Sequence, residues 1–586
     1  MRVRRKLPVL SSLVNWTSQA LWPDIGSMTR TVLLLALACA IRPLAAQQPP
    51  ADVVYRNALV WTGDSTRPSA HALAVRDGRL VAVGSDSDVQ PFVGAATRQV
   101  DLGGRRVVPG FIDAHWHLPT ASRADLVGAG NVQEIVRRLQ AWAAKLPRGA
   151  WVVGRGWTPS DFPQNAAHKR YLDAAFPDRP VLLTDRDGHQ SLANSVALRL
   201  AKVTAATRDP VQGVIEREQG GAPTGLLKES ASGLVSRLVP PPTAADIARR
   251  IHEESRAAAS LGITMVQEAS RRAPSGAVFD ALAAAARADT MSLRWYVSVP
   301  FDPNATRAQL LRYVKLKEEF RGPWLRYGIA KGMLDGTVDA QTAAMLEPYA
   351  NTDATGLPFW PAGTLNRGVV RYDSAGLQVE LHAIGDKAVR MALDAYAQAR
   401  KVNGVRDSRH RVEHIEVPSP RDLPRFRQLG VIASTQAIFA TPDVTTLTNY
   451  APLLGPKRAA LSNNFRQFDE AGAVQAFGSD YPVFPMDVIR GIYTAVTRMT
   501  PEGTPKGGWY PAGRISVEAA LRHFTRDAAY AGFMEKEVGM LRNGMLADFV
   551  VLSEDLLALP PEQLLRVKVE RTVVGGREVF VAEKVR

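Results

Sequence analysis

Short apolar runs alternate with Ala-, Leu- and Arg-rich stretches through the middle of the chain. Eight of the runs are candidate strands: 107–117, 262–268, 294–299, 327–334, 377–382, 411–415, 431–436 and 473–480. Strand runs interleaved with helical stretches predict a parallel α/β fold. Eight is the number of strands that a (β/α)8 TIM barrel requires, placed here over residues 109–527. The gap between the first two runs is far longer than a βα unit needs, so an inserted subdomain is expected at about 119–255. The chain ends have another texture. Runs such as Val53-Val54-Tyr55 and Leu80-Val81-Ala82-Val83 near the start, and Phe549-Val550-Val551-Leu552 and Val579-Phe580-Val581 near the end, are broken by turn residues. They predict a small β-sandwich composed of both ends, residues 47–108 and 528–586.

The N-terminus predicts export. After Met28-Thr29-Arg30 comes an apolar run from Thr31 to Ile41, and then Pro43-Leu44-Ala45-Ala46. A positive start, a short apolar core and small residues at the exit make a signal peptide over 28–46, cleaved after Ala46, which points to a periplasmic or extracellular protein. The run is about half the roughly 20 residues of a spanning helix, so no stable membrane span is expected. Cys39 after Ala36-Leu37-Ala38 is a weaker match to a lipoprotein site. Residues 1–27 are expected to be an over-extended start.

Composition narrows the class. The chain has 586 residues, 46% hydrophobic and 22% charged, which is globular composition. Of the net charge of +15, residues 1–46 carry six Lys/Arg against Asp24 alone, and the remaining excess is spread without a basic run. No nucleic-acid partner is expected. A single cysteine excludes an internal disulfide and a Cys-ligated metal site.

Polar residues collect where the candidate strands end. His115 and His117 are two apart, so on a strand they share a face while Trp116 points the other way. Two converging imidazoles chelate a divalent metal. Lys331, His382, His414 and Asp480 fall at the corresponding places of later strands, and catalytic groups of a barrel come from several such ends. His189 in the insertion and Asp335 beyond strand four are candidate substrate contacts, with a structural role for His189 and a turn role for Asp335 as the alternatives. Asp386 is expected to cap the helix that follows strand five. Arg411 and His71, His168, His252, His410 and His523 read as structural.

This ordered set resembles the amidohydrolase superfamily, and within it the YtcJ-like branch of metal-dependent hydrolases (amidohydrolase family 3). The matching segments are Pro109-Gly-Phe-Ile-Asp-Ala-His115-Trp-His117, Lys331-Gly-Met-Leu-Asp335-Gly336, His382-Ala-Ile-Gly-Asp386, Arg411-Val-Glu-His414, Gly478-Ser-Asp480-Tyr-Pro-Val483, Arg186-Asp-Gly-His189 and Gly544-Met-Leu-Ala-Asp548. The resemblance covers residues 50–580. It implies a β-sandwich plus barrel with one or two divalent ions, expected to be Zn2+, at the barrel mouth. His115 and His117 would bind the more buried ion beside Asp480, and His382 and His414 a second. Lys331 would bridge them as a carbamate. Such metals lower the pKa of a bound water toward 7, and Asp480 would take its proton and pass it to the leaving nitrogen. Two segments depart from the family pattern, Thr337-Val-Asp-Ala-Gln341 and Val266-Gln267-Glu268. Both are expected to face substrate and to affect specificity.

The leading expectation is therefore an exported amidohydrolase that cleaves a C–N bond other than a peptide bond, of N-acyl or formamide type, in a small molecule. A hydrolytic deaminase, a cyclic amide or ester hydrolase and a non-catalytic metal-bound binding protein are the alternatives. A homo-oligomer is compatible with all of them.

Overall fold

The computed structural model describes residues 48–583 except 121, 122, 274 and 351. The proposed signal peptide and start at residues 1–46 lie outside the described residues.

Eight parallel strands form the central sheet: β1 (Phe111–Trp116), β2 (Ile263–Glu268), β3 (Arg294–Pro300), β4 (Leu325–Met333), β5 (Gln378–Ala383), β6 (Arg411–His414), β7 (Ile432–Gln436) and β8 (Gln475–Gly478). Each pairs with the next in sequence. The ring closes where the N–H of Asp480 donates to the carbonyl of His115 at 2.7 Å and that of His117 to Tyr481 at 2.8 Å. All eight expected strands are present, in order. Helices follow β2 to β8 and cover the outside, as in Arg307–Glu319 and Asp386–Asn403. Helix Ala244–Ser260 shows why they start where they do. Thr243 accepts from the Asp246 N–H and Asp246 answers to the Thr243 N–H, which satisfies two otherwise orphaned donors.

The expected first strand is two strands. Arg98–Pro109 belongs to the chain-end sheet and Phe111–Trp116 to the barrel, with Gly110 at the break. A Cβ at Gly110 would lie 2.3 Å from Thr264 Oγ1, so only glycine lets the chain pass.

The chain ends do meet, in one mixed sheet. Its order is 577–581, 569–574, 549–552, 98–109, 53–61, 72–76 and 79–84. Leu552 to Phe549 run antiparallel to Arg106–Pro109, so the last part of the chain closes on the first. The described strands form one continuous hydrogen-bonded sheet, and it curls so that the turn at Gly575 and Gly576 comes against Gly78, in the turn between the strands at its other end. Arg294 of β3 fixes this sheet to the barrel through a bidentate pair with Asp548 at 2.6 and 2.8 Å, both side chains 1% exposed. That is the role of Asp548 in the segment Gly544–Asp548.

The insertion between β1 and β2 has its own six-stranded sheet, ordered 213–217, 223–229, 190–193, 181–185, 152–157 and 124–125. Ile135, Leu139, Val152, Trp157 and Leu183 form its core. Arg186, just past strand 181–185, reaches Asp443 beyond β7 at 2.8 Å, which ties the insertion to the barrel mouth.

Candidate metal centre

Alternation along β1 turns Asp113 and His115 inward, while Trp116 packs edge-on against Trp295 at 5.2 Å. His117 follows one pleat later. Its ring centre lies 5.1 Å from that of His115. The rings of His115 and His414 are 4.7 Å apart, and those of His414 and His382 4.5 Å. Lys331 Nζ from β4 sits 3.3 Å from His115 Nε2. Asp480, just past β8, completes the group: its Oδ1 is 2.8 Å from His117 Nε2 and 3.5 Å from His115 Nε2, and its Oδ2 is 4.0 Å from His414 Nδ1. The structure therefore brings His115, His117, Lys331, His382, His414 and Asp480 to one place, at the C-terminal ends of five strands.

Two of these side chains depend on left-handed backbone. His414 has φ +73° and Asp480 φ +58°. Regular alternation would turn His414 away from Glu413, and the kink re-aims it into the mouth. Such conformations are costly for non-glycine residues and persist only where the surroundings enforce them.

Each imidazole has its second nitrogen or its edge held. His115 Nδ1 is 2.5 Å from Glu413 Oε2 and His117 Nδ1 is 3.0 Å from Ser270 Oγ. His414 Nδ1 is 3.0 Å from Gln436 Oε1, and His382 Nε2 3.2 Å from the carbonyl of Gly336. A carboxylate on Nδ1 leaves His115 Nε2 bare, the tautomer that ligates. Glu413 is itself held by Arg411 at 2.8 Å, and Arg411 also donates to the Ala114 carbonyl, Ser434 and Gln267. Arg411 is thus structural, as expected, with a direct line to the centre.

Burial and neighbouring charges disfavour the protonated forms of His115, His382, His414 and Lys331. Burial, then neighbouring cations or histidines, holds His115, His382 and His414 well below the usual histidine range. Burial likewise lowers the Lys331 ammonium, against the pull of Glu380, Glu413 and Asp480. Asp480 Oδ1 is buried with no hydrogen bond, although imidazole nitrogens face it. His115, His414 and Asp480 offer ligand atoms within 4.8 Å of one another. Imidazole nitrogens and a buried carboxylate oxygen without a hydrogen bond, converging on one place, fit a divalent cation.

His189 comes from the insertion to lie over this group, its ring 5.1 Å from that of His382. Burial opposes charge on it, but Glu229 at 2.9 Å, with Asp185 and Asp187, lifts its pKa to about 9. Asp335, open between a turn role and a substrate contact, does not line the cavities at the centre. Its fully buried carboxylate accepts the N–H groups of Ala344, Ile384 and Gly385 at 2.9–3.0 Å, so it shapes the loops after β4 and β5. Burial raises it to about 7. Asp386 opens its helix behind the cap residue Gly385 and holds the N–H of Leu346 at 2.8 Å.

The departing segments divide. Thr337, Val338 and Asp339 do line a cavity beside His382 and His414, with Phe439, Tyr450 and Phe484. Glu268 instead braces a loop, accepting from Arg272, Leu118 N–H and Ser270 N–H, and Gln267 holds Arg411. Sequence reasoning missed Glu413, Gln436, Ser270 and Glu229, which orient the histidines. For Glu413 a signal existed: on a strand it shares the face of Arg411, and charged pairs inside a barrel require partners.

A model of the Amidohydrolase family matches residues 98–580. The Arabidopsis thaliana protein LONG AFTER FAR-RED 3 is 33% identical, over 92% of this chain and 94% of that protein. The N-substituted formamide deformylase of Arthrobacter pascens is 27% identical, over 90% and 97%. Among solved structures, an uncharacterized metal-dependent hydrolase from Pyrococcus horikoshii OT3 superposes with a TM-score of 0.68 at 24% identity, over 87% of this chain and 99% of that one, a likeness of fold. A barrel with this ordered donor set, matched by the family model over most of its length, leaves one assignment: the chain belongs to the amidohydrolase family and is a metal-dependent hydrolase.

Proposed function

We propose that the protein is an exported hydrolase of C–N bonds other than peptide bonds, acting on an N-acyl or formamide-type amide. The observation that carries this reading is the convergence of six competent donors at the barrel mouth, with Lys331 Nζ and Asp480 Oδ1 at 3.3 and 3.5 Å from the Nε2 of His115. A bound divalent ion, Zn2+ by the chemistry of the donors, supplies an acidified water and polarises the scissile carbonyl. His115, His117, His382, His414 and Asp480 would hold one or two such ions. Lys331, buried where its charge is opposed, is suited to add CO2 through its neutral Nζ, releasing a proton, and to bridge as an anionic carbamate.

The protein's own groups account for the remaining work. Asp480 accepts the water proton and returns it to the departing nitrogen. The His189 imidazolium, fixed by Glu229, donates toward the substrate oxygen that gains charge in the transition state. Similarity over nearly full length to a formamide deformylase supports an N-acyl or N-formyl substrate. No helix among the described residues is long and apolar enough to cross a membrane, and residues 28–46 support export.

The test is elemental analysis of purified protein, followed by amine- and ammonia-release assays on N-formyl amines, N-acyl amines, cyclic amides and aminated rings. Amine release that disappears with chelator and returns with metal is expected. Ammonia release from a ring alone would assign a deaminase, and a metal-loaded but inert protein a binding function. N-terminal sequencing of native protein should begin near Gln47.

A further inference from the structure

Glu229 ends the insertion strand Pro223–Glu229 with φ +51° and ψ −128°, a backbone conformation that residues other than glycine rarely adopt. Such strain persists only where the surroundings over-determine it. Here the side chain is held from two directions. Its Oε2 lies 2.9 Å from His189 Nδ1, and its Oε1 accepts the Thr342 hydroxyl at 2.7 Å. The Glu229 backbone N–H also donates to the carbonyl of His189 at 2.8 Å. The carboxylate is thereby fixed in an interior position, with the side chain 6% exposed.

The two partners belong to different parts of the molecule. His189 is in the insertion, while Thr342 is in the barrel loop after β4. The Thr342 hydroxyl oxygen accepts the Thr337 N–H at 3.0 Å, and its carbonyl accepts the Gly336 N–H at 3.2 Å, so it pins that loop. Gly336 is where the insertion crosses: a Cβ there would overlap both Glu229 Oε1 and Thr342 Oγ1. The Gly336 carbonyl, in turn, lies 3.2 Å from His382 Nε2. One carboxylate of the insertion thus supports two imidazoles whose ring centres are 5.1 Å apart, His189 directly and His382 through the loop.

We infer that Glu229 is a positioning residue that couples the insertion to the metal centre, setting His189 with one oxygen and, through Thr342 and the Gly336 carbonyl, His382 with the other. The donor group at the mouth is then complete only when the insertion is docked. The kinetic half of this inference rests on the hydrolase reading above, and the metal-binding half does not. The strained backbone of Glu229 is the cost of reaching both partners from one strand end.

Chelator competition for Zn2+, and kinetics on N-formyl amines at saturating Zn2+, test the inference. Glu229→Ala should lose about 10-fold in metal affinity, the low end for a group that orients a ligating histidine. It should also lose about 10- to 100-fold in kcat, the scale of a displaced group at the reacting centre. The two arms should separate. Thr342→Val should lose the metal affinity while keeping kcat at saturating metal within about threefold, and Thr342→Ser should restore the affinity. His189→Gln, whose amide still donates to Glu229, should keep the affinity within about threefold and lose the kcat. Glu229→Gly removes the strain together with the carboxylate, so it should melt at a higher temperature than Glu229→Ala. Wild-type metal affinity in Glu229→Ala, parallel losses of affinity and kcat in Thr342→Val and His189→Gln, or a Glu229→Gly that melts below Glu229→Ala would each overturn the inference. If Glu229→Ala does not fold, the Thr342 pair decides, and equal metal affinity in Thr342→Val and Thr342→Ser overturns it. If the affinities follow this pattern but the wild type cleaves no amide, the hydrolase reading fails while the coupling stands. Amide cleavage with a metal affinity indifferent to Glu229 and Thr342 gives the converse.

Discussion

Glu413 holds His115 by Nδ1 at 2.5 Å, and neither side chain is exposed at all. The carboxylate sets the tautomer of the imidazole and makes its Nε2 a better donor. Partners of this kind are worth about 10- to 100-fold in metal affinity. Glu413→Gln should therefore lose metal to a competing chelator by that factor. It should also lower the stability of the metal-free protein by roughly 3–5 kcal/mol, because among the described residues Arg411 would keep only the Glu380 carboxylate, at 3.7 Å, as an ion-pair partner. Chelator competition and denaturant unfolding measure the two effects separately. An unchanged metal affinity would remove Glu413 from the centre.

Asp480 is expected to separate binding from turnover. Its Oδ1 faces His117 and His115 without a hydrogen bond, and an amide oxygen in the same place still offers a lone pair. Asp480→Asn should keep most of its metal by elemental analysis and lose about 10²–10⁴-fold in kcat, the range for positioned proton transfer. A variant with near-normal kcat would show that another group moves the proton.

Lys331 tests the bridge. If its carbamate is the anion between two cations, Lys331→Ala should lose at least one metal, because ions about 3.5–4 Å apart need an intervening anion. Lys331→Glu should retain more metal and activity than Lys331→Arg, since glutamate brings an anionic oxygen and arginine a permanent cation. Added formate or acetate should partly restore the alanine variant. Two metals and normal rates in Lys331→Arg would assign a site without the bridge.

The barrel was legible because each strand carries its own local signal, an apolar run between turn residues, and because ligands at strand ends repeat in order. What surrounds the ligands was not. Gln436 and Ser270 are ordinary polar residues whose meaning comes from a histidine far away in sequence, 22 residues off for Gln436 and 153 for Ser270. Asp335 has the same side chain as Asp480, yet three backbone amides absorb it. Only the loops decide which carboxylate stays free. Period-two alternation also fails at His414, where the left-handed backbone reverses the direction that the strand pattern implies.

His523, read as structural from the sequence, supplies a pH dependence of stability that is independent of the metal centre. It ends helix Val517–His523 and is 1% exposed. Nδ1 lies 3.0 Å from Asp527 and Nε2 3.1 Å from Asp469. Burial opposes its charge, but the hydrogen bonds to Asp469 and Asp527 prevail and raise its pKa, while both aspartates are lowered. A histidine whose pKa is raised on folding adds stability that is complete below its unfolded value of about 6.5 and is lost as pH climbs through the folded value. The aspartates act in the opposite direction, with stability complete above about 3.9 and lost as pH falls through their folded values. All three contribute together between about pH 4 and 6.5. His523→Gln should therefore destabilise the protein by about 1.5–3 kcal/mol at pH 6, the loss of hydrogen bonds between charged groups, while Arg522 stays beside both aspartates and Arg526 beside Asp527. The loss should be smaller at pH 9, where the native histidine is closer to neutral. Denaturant unfolding of both proteins at the two pH values measures the difference, and an equal loss at pH 6 and pH 9 would mean that the pKa of His523 is not raised on folding.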